Sequence, residues 1–451
     1  MIDSVLVANR GEIALRVIWA CRELGISPVA VYSEADRDSL HVKFADEDIC
    51  IGPGAAADSY LNIASVIAAA EALKVDAIHP GYGFLSENAH FAEVCESCGF
   101  KFIGPSADHI RRMGDKVEAK QLMRKAGLPM LPGSDGPVDG VDVAHEVAEQ
   151  IGYPVLLKAA AGGGGRGMRI VLRPEDLPVA FQTASREAEA AFGSGEMYME
   201  KYLARPRHVE VQLLGDTHGN LVHLGERECS VQRKYQKIVE ETPSAALGRE
   251  QRDGILADAI RGAAAIDYVS AGTMEFLVDG DGNHYFMEMN TRIQVEHPIT
   301  EAVTLVDLVK EQIRVAAGLP IQYAQDEIEF RGHSIECRIN AEDPWALTPC
   351  PGQITAFNVP KGPGVRVDTA AHEDYYVSPF YDSMIAKVIV HGRDRAEALA
   401  RMRRCLELMI VEGIKTNIPL LQRVLDHPGF VAGDYDTHLV DEILPGAGPQ
   451  I

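Results

Sequence analysis

Short apolar runs alternate with stretches of helical period through the first hundred residues. Val5–Ala8 and Val29–Tyr32 are apolar runs of strand length, and the apolar residues of Glu12–Leu24 between them repeat as they do in a helix. The same alternation continues to Lys101–Ile103. A strand, a helix and a second strand in this order predict parallel strands joined by right-handed crossovers. We therefore predict an α/β protein in which residues 1–113 form an N-terminal Rossmann-like parallel-sheet domain.

The first turn of this domain lacks the glycine pattern of dinucleotide-binding folds. Ala8–Ile13 stands where Gly-x-Gly-x-x-Gly would be needed to bring the backbone close to a pyrophosphate. NAD binding is therefore disfavoured. Taken by itself, this segment is typical of a structural α/β module.

The rest of the chain shows three further patterns. One helical segment is predicted over 107–127, and the loop Leu131–Gly140 is rich in Gly, Pro and Asp as linkers are. Strands with period-2 alternation are predicted from Arg207 to about 300. Helices are predicted over Leu305–Gly318 and Arg395–Ile410. We place the remaining domains as follows: a linker and lid domain at 114–203, a catalytic region at 204–330, and a C-terminal α+β strand-rich domain at 331–451.

Composition narrows the class of protein. The 451 residues include 43 Lys and Arg against 66 Asp and Glu, and the net charge of −23 disfavours a nucleic-acid-binding surface. No stretch approaches about 18 uncharged apolar residues, so no membrane span is expected. The first ten residues are typical of a buried strand and not of a signal peptide. Eight cysteines fit a reducing compartment, and we expect a cytoplasmic protein. Cys95 and Cys98 fall on a predicted helix and fit ordinary packing.

A glycine-rich loop lies between two strand-like segments. Val155–Leu157 precedes it and Met168–Leu172 follows it, so the loop is predicted to be the tip of a β-hairpin and not a phosphate-binding P-loop. Five of the six residues 162–167 are glycine, which lets backbone N–H groups approach an anion closely. We interpret the hairpin as a flexible lid over phosphates, with Lys158 supplying a positive charge. The alternative is a plain flexible hairpin.

A second hairpin is predicted over residues 272–290. Two apolar runs flank a turn of Gly, Asp and Asn, and pairing Asp279 with His284 sets Glu275 opposite Glu288, although the register could slip by one residue. Like charges that face each other destabilise a sheet, and a cation between them removes the penalty. Carboxylates together with substrate phosphates suit Mg²⁺. The alternative is two separately solvated carboxylates.

The chain then continues into a segment with a polar residue at every second position. In an extended chain these residues project to one face, which suggests a site for a small, charged ligand, and they are Glu288, Asn290, Arg292, Gln294 and Glu296. The alternative is an exposed edge strand. A similar alternation in Ser334–Asn340 places Arg338 on a polar face.

Two other segments give weaker signals. Glu226–Lys237 mixes acids with cations, and taken by itself it is typical of a charged loop. Glu200–Leu203 is typical of a domain junction. Beside a nucleotide site, the backbone of such a junction often pairs with adenine.

Together these segments resemble the biotin carboxylase family of the ATP-grasp superfamily, over essentially the whole chain. The most specific stretches are Ala8–Ala14, His79–Asn88, Gly162–Met168 and Glu288–Thr300. The resemblance implies an ATP-grasp fold with a mobile glycine-rich lid. It also implies a ligase in which ATP and bicarbonate give carboxyphosphate, and biotin on a carrier protein is then carboxylated.

The resemblance also implies roles for individual residues. Those expected around ATP are Lys116, Lys158, Gly163, Gly164, Gly165, Gly167, Glu200, Lys201, Leu203, His208 and Gln232. Tyr235 is included among the expected nucleotide-binding residues, although many relatives have His at this position. Ala161 stands at a position where the lid of relatives has glycine. Those expected to hold Mg²⁺ or Mn²⁺ are Glu275 and Glu288, with Asn290 alongside. Those expected to bind bicarbonate and carboxyphosphate are Lys237, Arg292, Gln294 and Val295. Glu296 is expected to deprotonate bicarbonate, and Arg338 to stabilise the enolate-like oxygen of biotin.

The sequence contains no Met-Lys dipeptide, so the biotinyl-lysine motif is missing. We therefore expect a separate subunit that acts on a carrier protein and with carboxyltransferase subunits in trans, for which free biotin is a poor substitute. The expected context is an acyl-CoA carboxylase, above all acetyl-CoA carboxylase in fatty acid synthesis. Relatives suggest a homodimer. Two alternatives are another ATP-grasp ligase, such as a carbamoyl-phosphate-synthesising or purine-pathway enzyme, and a non-catalytic nucleotide-sensing subunit.

Overall fold

A computed structural model describes residues 2–159 and 167–444. Its N-terminal part is a five-stranded parallel sheet in the order β3-β2-β1-β4-β5. The strands are β1 Ser4–Val7, β2 Ser27–Ser33, β3 Glu47–Gly52, β4 Ala77–His79 and β5 Lys101–Phe102. The helices are α1 Gly11–Glu23, α2 Leu40–Phe44, α3 Ile63–Leu73, α4 Ala89–Ser97 and α5 Ala107–Gly114. The predicted N-terminal parallel sheet is confirmed.

The strand order brings two loops together at one edge of this sheet. Neighbours β1 and β4 are the first and fourth strands along the chain, so the loops after them start side by side, as at the ligand-binding crevice of other open α/β sheets. The Asn9 side-chain amide, after β1, donates to the carbonyls of Pro80 and Tyr82, after β4. This edge faces the rest of the protein.

The helical segment predicted over 107–127 is two helices. Helix α5 ends at Gly114, and α6 spans Lys116–Lys125. Asp115 separates them because its carboxylate accepts from the backbone N–H groups of Val117 and Glu118, which caps the new helix. The break sets Lys116 at the first position of α6.

The next unit is a small antiparallel sheet with two helices. Its strands are β6 Val155–Ala159, β7 Arg169–Val171 and β8 Met197–Lys201, in the order β7-β6-β8, and its helices are α7 Val141–Ile151 and α8 Leu177–Phe192. Strands β6 and β7 pair as the predicted hairpin. Gly163, Gly164 and Gly165 lie outside the described residues. Gly167 has a φ of +69°, which favours glycine.

An eight-stranded antiparallel sheet forms the centre of the protein, in the order β13-β12-β9-β10-β11-β14-β19-β17. Its strands are β9 Arg207–Gly215, β10 Leu221–Arg233, β11 Gln236–Thr242, β12 Ser270–Val278, β13 His284–Asn290, β14 His333–Asn340, β17 Val365–Thr369 and β19 Met384–Gly392. Short strands complete the set: β15 Gly352–Gln353, β16 Ala356–Asn358, β18 Tyr376–Val377 and β20 Ile410–Glu412. The large sheet continues across position 330, where two predicted domains meet.

Helices cover this sheet and interrupt the region predicted to contain mainly strands. They are α9 Arg249–Ala264, α10 His297–Thr304, α11 Leu308–Ala316, α12 Arg395–Leu408, α13 Ile418–Asp426, α14 Pro428–Ala432 and α15 Leu439–Ile443. The sequence prediction missed α9 and α10. No helix in the described part of the chain has the length and apolar character that crossing a bilayer requires.

Candidate active site

A cavity of about 710 Å³ lies between the small sheet and the eight-stranded sheet. All the predicted site residues that the structure describes, except Gly167, line it: Lys116, Lys158, Glu200, Lys201, Leu203, His208, Gln232, Tyr235, Lys237, Glu275, Glu288, Asn290, Arg292, Gln294, Val295, Glu296 and Arg338. They come from strands and loops far apart in sequence. A cavity of this size suits a nucleotide-sized ligand.

Lys237 is the centre of a buried ion cluster. Its ammonium nitrogen is 2.5 Å from Glu210 Oε2, 2.9 Å from Glu275 Oε1 and 2.7 Å from Glu296 Oε1. Burial alone would lower the pKa of Lys237, but the three carboxylates raise this pKa well above its ordinary value. Lys237 is therefore a permanent cation among carboxylates on three different segments.

Glu296 lies between two cations. Its Oε1 accepts from Lys237, and its Oε2 accepts from Arg338 Nη2 at 2.9 Å. Burial would raise the pKa of Glu296, but Lys237 and Arg338 hold it well below the ordinary value for a glutamate. Glu296 is thus an ionised carboxylate that can accept a proton.

Arg338 is fixed from behind by a second carboxylate. Its Nε donates to Glu240 Oε1 at 2.6 Å. Burial raises the pKa of Glu240 to about 7, against the lowering effect of Arg338. The guanidinium is therefore held between Glu240, which contacts Nε and Nη2, and Glu296, which also contacts Nη2.

The predicted pairing of Glu275 with Glu288 is confirmed. Val278 pairs with His284, one residue off the assumed register, and a bulge beyond Phe276 restores Glu275 to the position opposite Glu288. Burial and the nearby Glu275 carboxylate raise the pKa of Glu288. Its other close charge is Lys116, at 3.9 Å.

This carboxylate pair fits a divalent cation. Two acidic side chains of neighbouring strands repel each other, and burial together with this repulsion raises the pKa of Glu288. Hard oxygen ligands of this kind suit Mg²⁺ or Mn²⁺. Asn290 lies beside them, with its Nδ2 donating to Glu275 Oε1 at 2.9 Å. His208 Nε2 is 3.0 Å from the other oxygen of Glu275.

The segment predicted as one alternating strand over 288–296 is strand only as far as Asn290. Beyond it the chain turns, because Glu87 accepts from the Thr291 backbone N–H at 3.1 Å and from Arg292 Nε at 2.9 Å. Helix α10 then begins at His297, with Pro298 in its first turn. The prediction of an extended strand was wrong here, yet its five polar side chains all line the cavity.

At the other end of the cavity two lysines converge on Glu200. Lys120 Nζ is 2.6 Å from Glu200 Oε2, and Lys158 Nζ contacts Oε1. Burial opposes ionisation of Glu200, but the two lysines lower its pKa to about 2. Lys201 instead donates to the carbonyls of Gly152 and Tyr153.

The segment 226–237 is a β-hairpin of β10 and β11 and not a charged loop. Gln232 Nε2 lies 2.8 Å from His208 Nδ1, and Tyr235 in the turn is mostly exposed. The run of charged residues suggested a solvent-exposed loop, but in the sheet much of this segment is buried between its neighbouring strands. Arg227 and Glu228 are almost fully inaccessible.

Comparisons with known proteins agree along the whole chain. Family models match at 1–110 (Biotin carboxylase, N-terminal domain), 115–324 (Carbamoyl-phosphate synthase L chain, ATP binding domain) and 336–442 (Biotin carboxylase C-terminal domain). Biotin carboxylase of Haemophilus influenzae is 55% identical over 98% of this chain and 99% of its own length. Biotin carboxylase 1 of Bacillus subtilis is 53% identical over 98% of both. The chain belongs to the biotin carboxylase family.

Solved structures support the same assignment. A biotin carboxylase complex from Campylobacter jejuni has a TM-score of 0.95 at 49% identity, covering 98% of this chain and 99% of that one. The biotin carboxylase domain of Hydrogenobacter thermophilus 2-oxoglutarate carboxylase has a TM-score of 0.94 at 51% identity, covering 98% of both. The resemblance and the ATP-grasp fold class predicted from the sequence are confirmed, and with them an ATP-dependent ligase.

Sequence reasoning missed several residues that hold this biotin carboxylase site together. They are Glu87, Lys120, Glu210, Arg227 and Glu240. Glu210 carried a usable signal, since it lies in the alternating segment Arg207–Gly215 beside the predicted His208. Glu240 and Lys120 carried none, because their partners Arg338 and Glu200 lie 98 and 80 residues away.

Proposed function

We propose that this chain uses ATP and bicarbonate to form carboxyphosphate and then carboxylates biotin held on a separate carrier protein. The observation that carries the proposal is the buried ion cluster. Lys237 contacts Glu275, which lies on the side of the expected metal. On the opposite side it contacts Glu296, which in turn pairs with Arg338. One cavity thus contains groups suited to a nucleotide, an anion and a developing oxyanion.

The nucleotide part of the proposal rests on charge. Lys116, Lys158 and Lys120 line one end of the cavity, where phosphoryl transfer needs positive charge spread over the phosphates. Glu275 and Glu288 would hold Mg²⁺ or Mn²⁺, which when bound neutralises phosphate charge. Lys158 contacts Glu200, so the phosphates would compete with that carboxylate for the lysine.

Glu296 is proposed as the base that deprotonates bicarbonate. Its low pKa depends on Lys237 and Arg338, and anionic substrates in the cavity would compete for the same two cations. Sharing them raises the pKa of Glu296, so the carboxylate becomes a better proton acceptor once the substrates are bound. Binding of the substrates would therefore make Glu296 a stronger base.

Arg338 is proposed to stabilise the oxygen of the biotin ureido group. Its guanidinium is buried and donates to Glu240 and Glu296. A fixed arginine opposite a developing negative charge loses little entropy on forming new hydrogen bonds. Arg292, Gln294 and the backbone at Val295 complete the proposed anion site.

Activity should depend on all substrates together. We expect ADP release to require bicarbonate and to rise on addition of biotin, and to rise further with a biotinylated carrier protein, because the carrier fixes biotin in the cavity. A coupled ADP assay with each component omitted in turn measures this. ADP release that ignores biotin would favour another ATP-grasp ligase, and ATP binding without turnover would favour a nucleotide sensor.

Replacing Glu288 by glutamine should weaken metal-dependent use of ATP. The change removes one carboxylate of the pair that faces the metal, and we expect the apparent affinity for Mg²⁺ to fall by about 10- to 100-fold. Titrating MgCl₂ at fixed ATP gives the half-saturating concentration. Glu329→Gln, which replaces an exposed carboxylate paired with Arg331, is the matched control. An unchanged Mg²⁺ dependence would contradict the two-carboxylate site.

We propose that the carboxyl group passes finally to an acyl-CoA, with acetyl-CoA as the first candidate. A second candidate is a 2-oxo acid, because a pyruvate carboxylase subunit of Methanothermobacter thermautotrophicus is 52% identical over 100% of this chain and 92% of its own length. An assay with purified carrier and carboxyltransferase subunits from the same source distinguishes an acyl-CoA acceptor from a 2-oxo acid acceptor. Transfer of ¹⁴C-carboxylate to acetyl-CoA, and not to pyruvate or 2-oxoglutarate, is the expected result.

We propose a cytoplasmic homodimer that works with the carrier and carboxyltransferase subunits in trans. The related Hydrogenobacter thermophilus domain is described as a dimer, and all eight cysteines of this chain are free thiols. The proposed domains remain 1–113, 114–203, 204–330 and 331–451. The family matches end or begin near 113/114 and 330/331, while the match over 115–324 runs across the bound at 203/204.

A further inference from the structure

Arg227 is a buried arginine directly behind the cavity wall. It lies on β10 opposite Glu210 on β9, has no exposed side-chain surface and does not line the cavity. Its five N–H donors meet five acceptors: Glu210 Oε1 at 2.6 Å, Gln212 Oε1 at 2.7 Å, Thr300 Oγ1 at 2.9 Å, Thr273 Oγ1 at 3.2 Å and Gln294 Oε1 at 2.7 Å. Such complete bonding fixes the guanidinium in one position.

The contact with Gln294 determines which way that amide points. A guanidinium donates and never accepts, so the atom of Gln294 that faces Arg227 is its oxygen. On its other side, Gln294 Nε2 donates at 2.8 Å to Glu275 Oε1, an ionised carboxylate that only accepts. The two ends of an amide are otherwise almost interchangeable. Here two partners of opposite hydrogen-bonding character impose the same orientation.

The orientation decides what an anion meets. Gln294 Nε2 has two hydrogens, and among residues 2–159 and 167–444 its acceptor is Glu275 alone. The second N–H is therefore available to a ligand, and Gln294 lines the cavity. A flipped amide would present an oxygen, which repels an anion.

We propose that Arg227 is a positioning residue that sets affinity for bicarbonate by holding the Gln294 amide with its N–H donor toward the cavity. The proposal rests on the proposed function, in which Gln294 binds bicarbonate. Arg227 also shares Glu210 with Lys237, since Glu210 Oε1 accepts from Arg227 and Oε2 from Lys237. It therefore acts on two of the groups around the anion without touching it.

A purely structural role does not need this residue. A buried charge network can often be replaced by apolar residues of similar volume without loss of stability. An arginine in contact with Glu210 and Gln294, both beside the anion site, serves instead to keep donors and charges in place. The fork geometry matters, because lysine retains the charge but cannot reach five acceptors.

The test is Arg227→Lys, measured by biotin-dependent ADP release. We expect the KM for bicarbonate to rise about 10- to 100-fold, as for loss of a hydrogen bond to a charged group, while the KM for ATP stays within about twofold. Arg252→Lys is the matched control, because Arg252 pairs with Glu226 at 2.6 Å and does not line the cavity. Equal rises in both KM values, or a fall in kcat alone, would assign Arg227 a merely structural role and overturn the proposal.

Gln294→Ala completes a double-mutant cycle. Since Arg227 acts through Gln294, the double variant should show clearly less than the product of the two single effects on the bicarbonate KM. If the effects of the two single changes on the bicarbonate KM multiply in the double variant, the two residues act independently and the proposed coupling is refuted. Should Arg227→Lys not fold, Gln294→Glu tests the orientation with Arg227 intact. The new carboxylate can still accept from Arg227 but has no donor for the cavity, so the bicarbonate KM should rise at least about 10-fold. An unchanged KM would overturn the proposal.

The wild-type protein measured alongside separates two failures. If it shows no ADP release that depends on bicarbonate and biotin, the proposed function is wrong and this inference is wrong with it. If the wild type is active and Arg227→Lys has the same bicarbonate KM, only the inference about Arg227 is wrong.

Discussion

Lys237→Gln is expected to lower biotin-dependent ADP release by about 10²- to 10³-fold or more, as loss of a fixed transition-state donor does. The ammonium of Lys237 contacts Glu210, Glu275 and Glu296 at once. Glutamine keeps part of the side-chain volume but supplies no charge. Three buried carboxylates then lose their shared cation, and an anionic substrate meets net repulsion.

The variant should also change the response to pH. Lys237 is the main cation that lowers the pKa of Glu296, so its removal raises that pKa. A carboxylate with a raised pKa is ionised only at higher pH. We therefore expect the residual rate of Lys237→Gln to increase with pH through a range in which the wild-type rate is flat.

Lys415→Gln provides the control for this experiment. Lys415 is exposed and pairs with Asp343 at 2.7 Å, and neither residue lines the cavity. Circular dichroism and thermal unfolding should show a folded Lys237→Gln protein, destabilised by the uncompensated carboxylates. Full activity in this variant would remove Lys237 from the mechanism.

Local patterns in the sequence were enough to predict the N-terminal sheet. Its inner strands β1, β2 and β4 are buried on both faces, so short apolar runs mark them, and Gly25 ends the first helix where the periodicity stops. The second hairpin was also predictable, because its turn residues and apolar runs fix the pairing to within one residue. The bulge that restores Glu275 to its place opposite Glu288 has no signature in the sequence.

The segment after Asn290 was mispredicted for a tertiary reason. Alternation favours an extended strand, but Glu87, some two hundred residues earlier, binds the Thr291 N–H and Arg292 and turns the chain. Such contacts cannot be read from spacing within the segment. The composition of the site was predictable all the same, because polar side chains beside an apolar run have to meet something polar.

The charged segment around Arg227 could not be interpreted from the sequence for a different reason. Consecutive acidic and basic residues usually lie in solvent, and no local rule indicates that β9 and β11 will cover this strand from both sides. The buried charges are tolerated because they meet partners from distant elements: Arg227 pairs with Glu210 on β9, and Glu226 pairs with Arg252 on α9. These ion pairs can be predicted only when the order of the strands in the sheet is already known.

Glu296→Gln is the second change with a large expected effect. Glutamine has almost the shape of glutamate and can still accept from Arg338 or Lys237, but it cannot take a proton from bicarbonate. General-base catalysis contributes typically about 10²- to 10⁴-fold, so we expect a fall of that size in biotin-dependent ADP release. ATP affinity, measured by equilibrium binding, should change little because Lys120 and Lys158 pair with Glu200 at the other end of the cavity.

Glu301→Gln separates loss of the base from loss of a buried charge. Glu301 is on α10, the helix whose N-cap residue is Glu296, and pairs with Arg16 at 2.9 Å and Arg366 at 2.7 Å without lining the cavity. This control should lower the melting temperature but keep kcat per folded molecule near the wild-type value. If Glu296→Gln retains turnover within about twofold of the wild type, another group takes the proton, because general-base assistance of the expected size would have been lost. Equal losses of kcat in both variants would show that burial of charge at α10, and not proton transfer at Glu296, determines the rate.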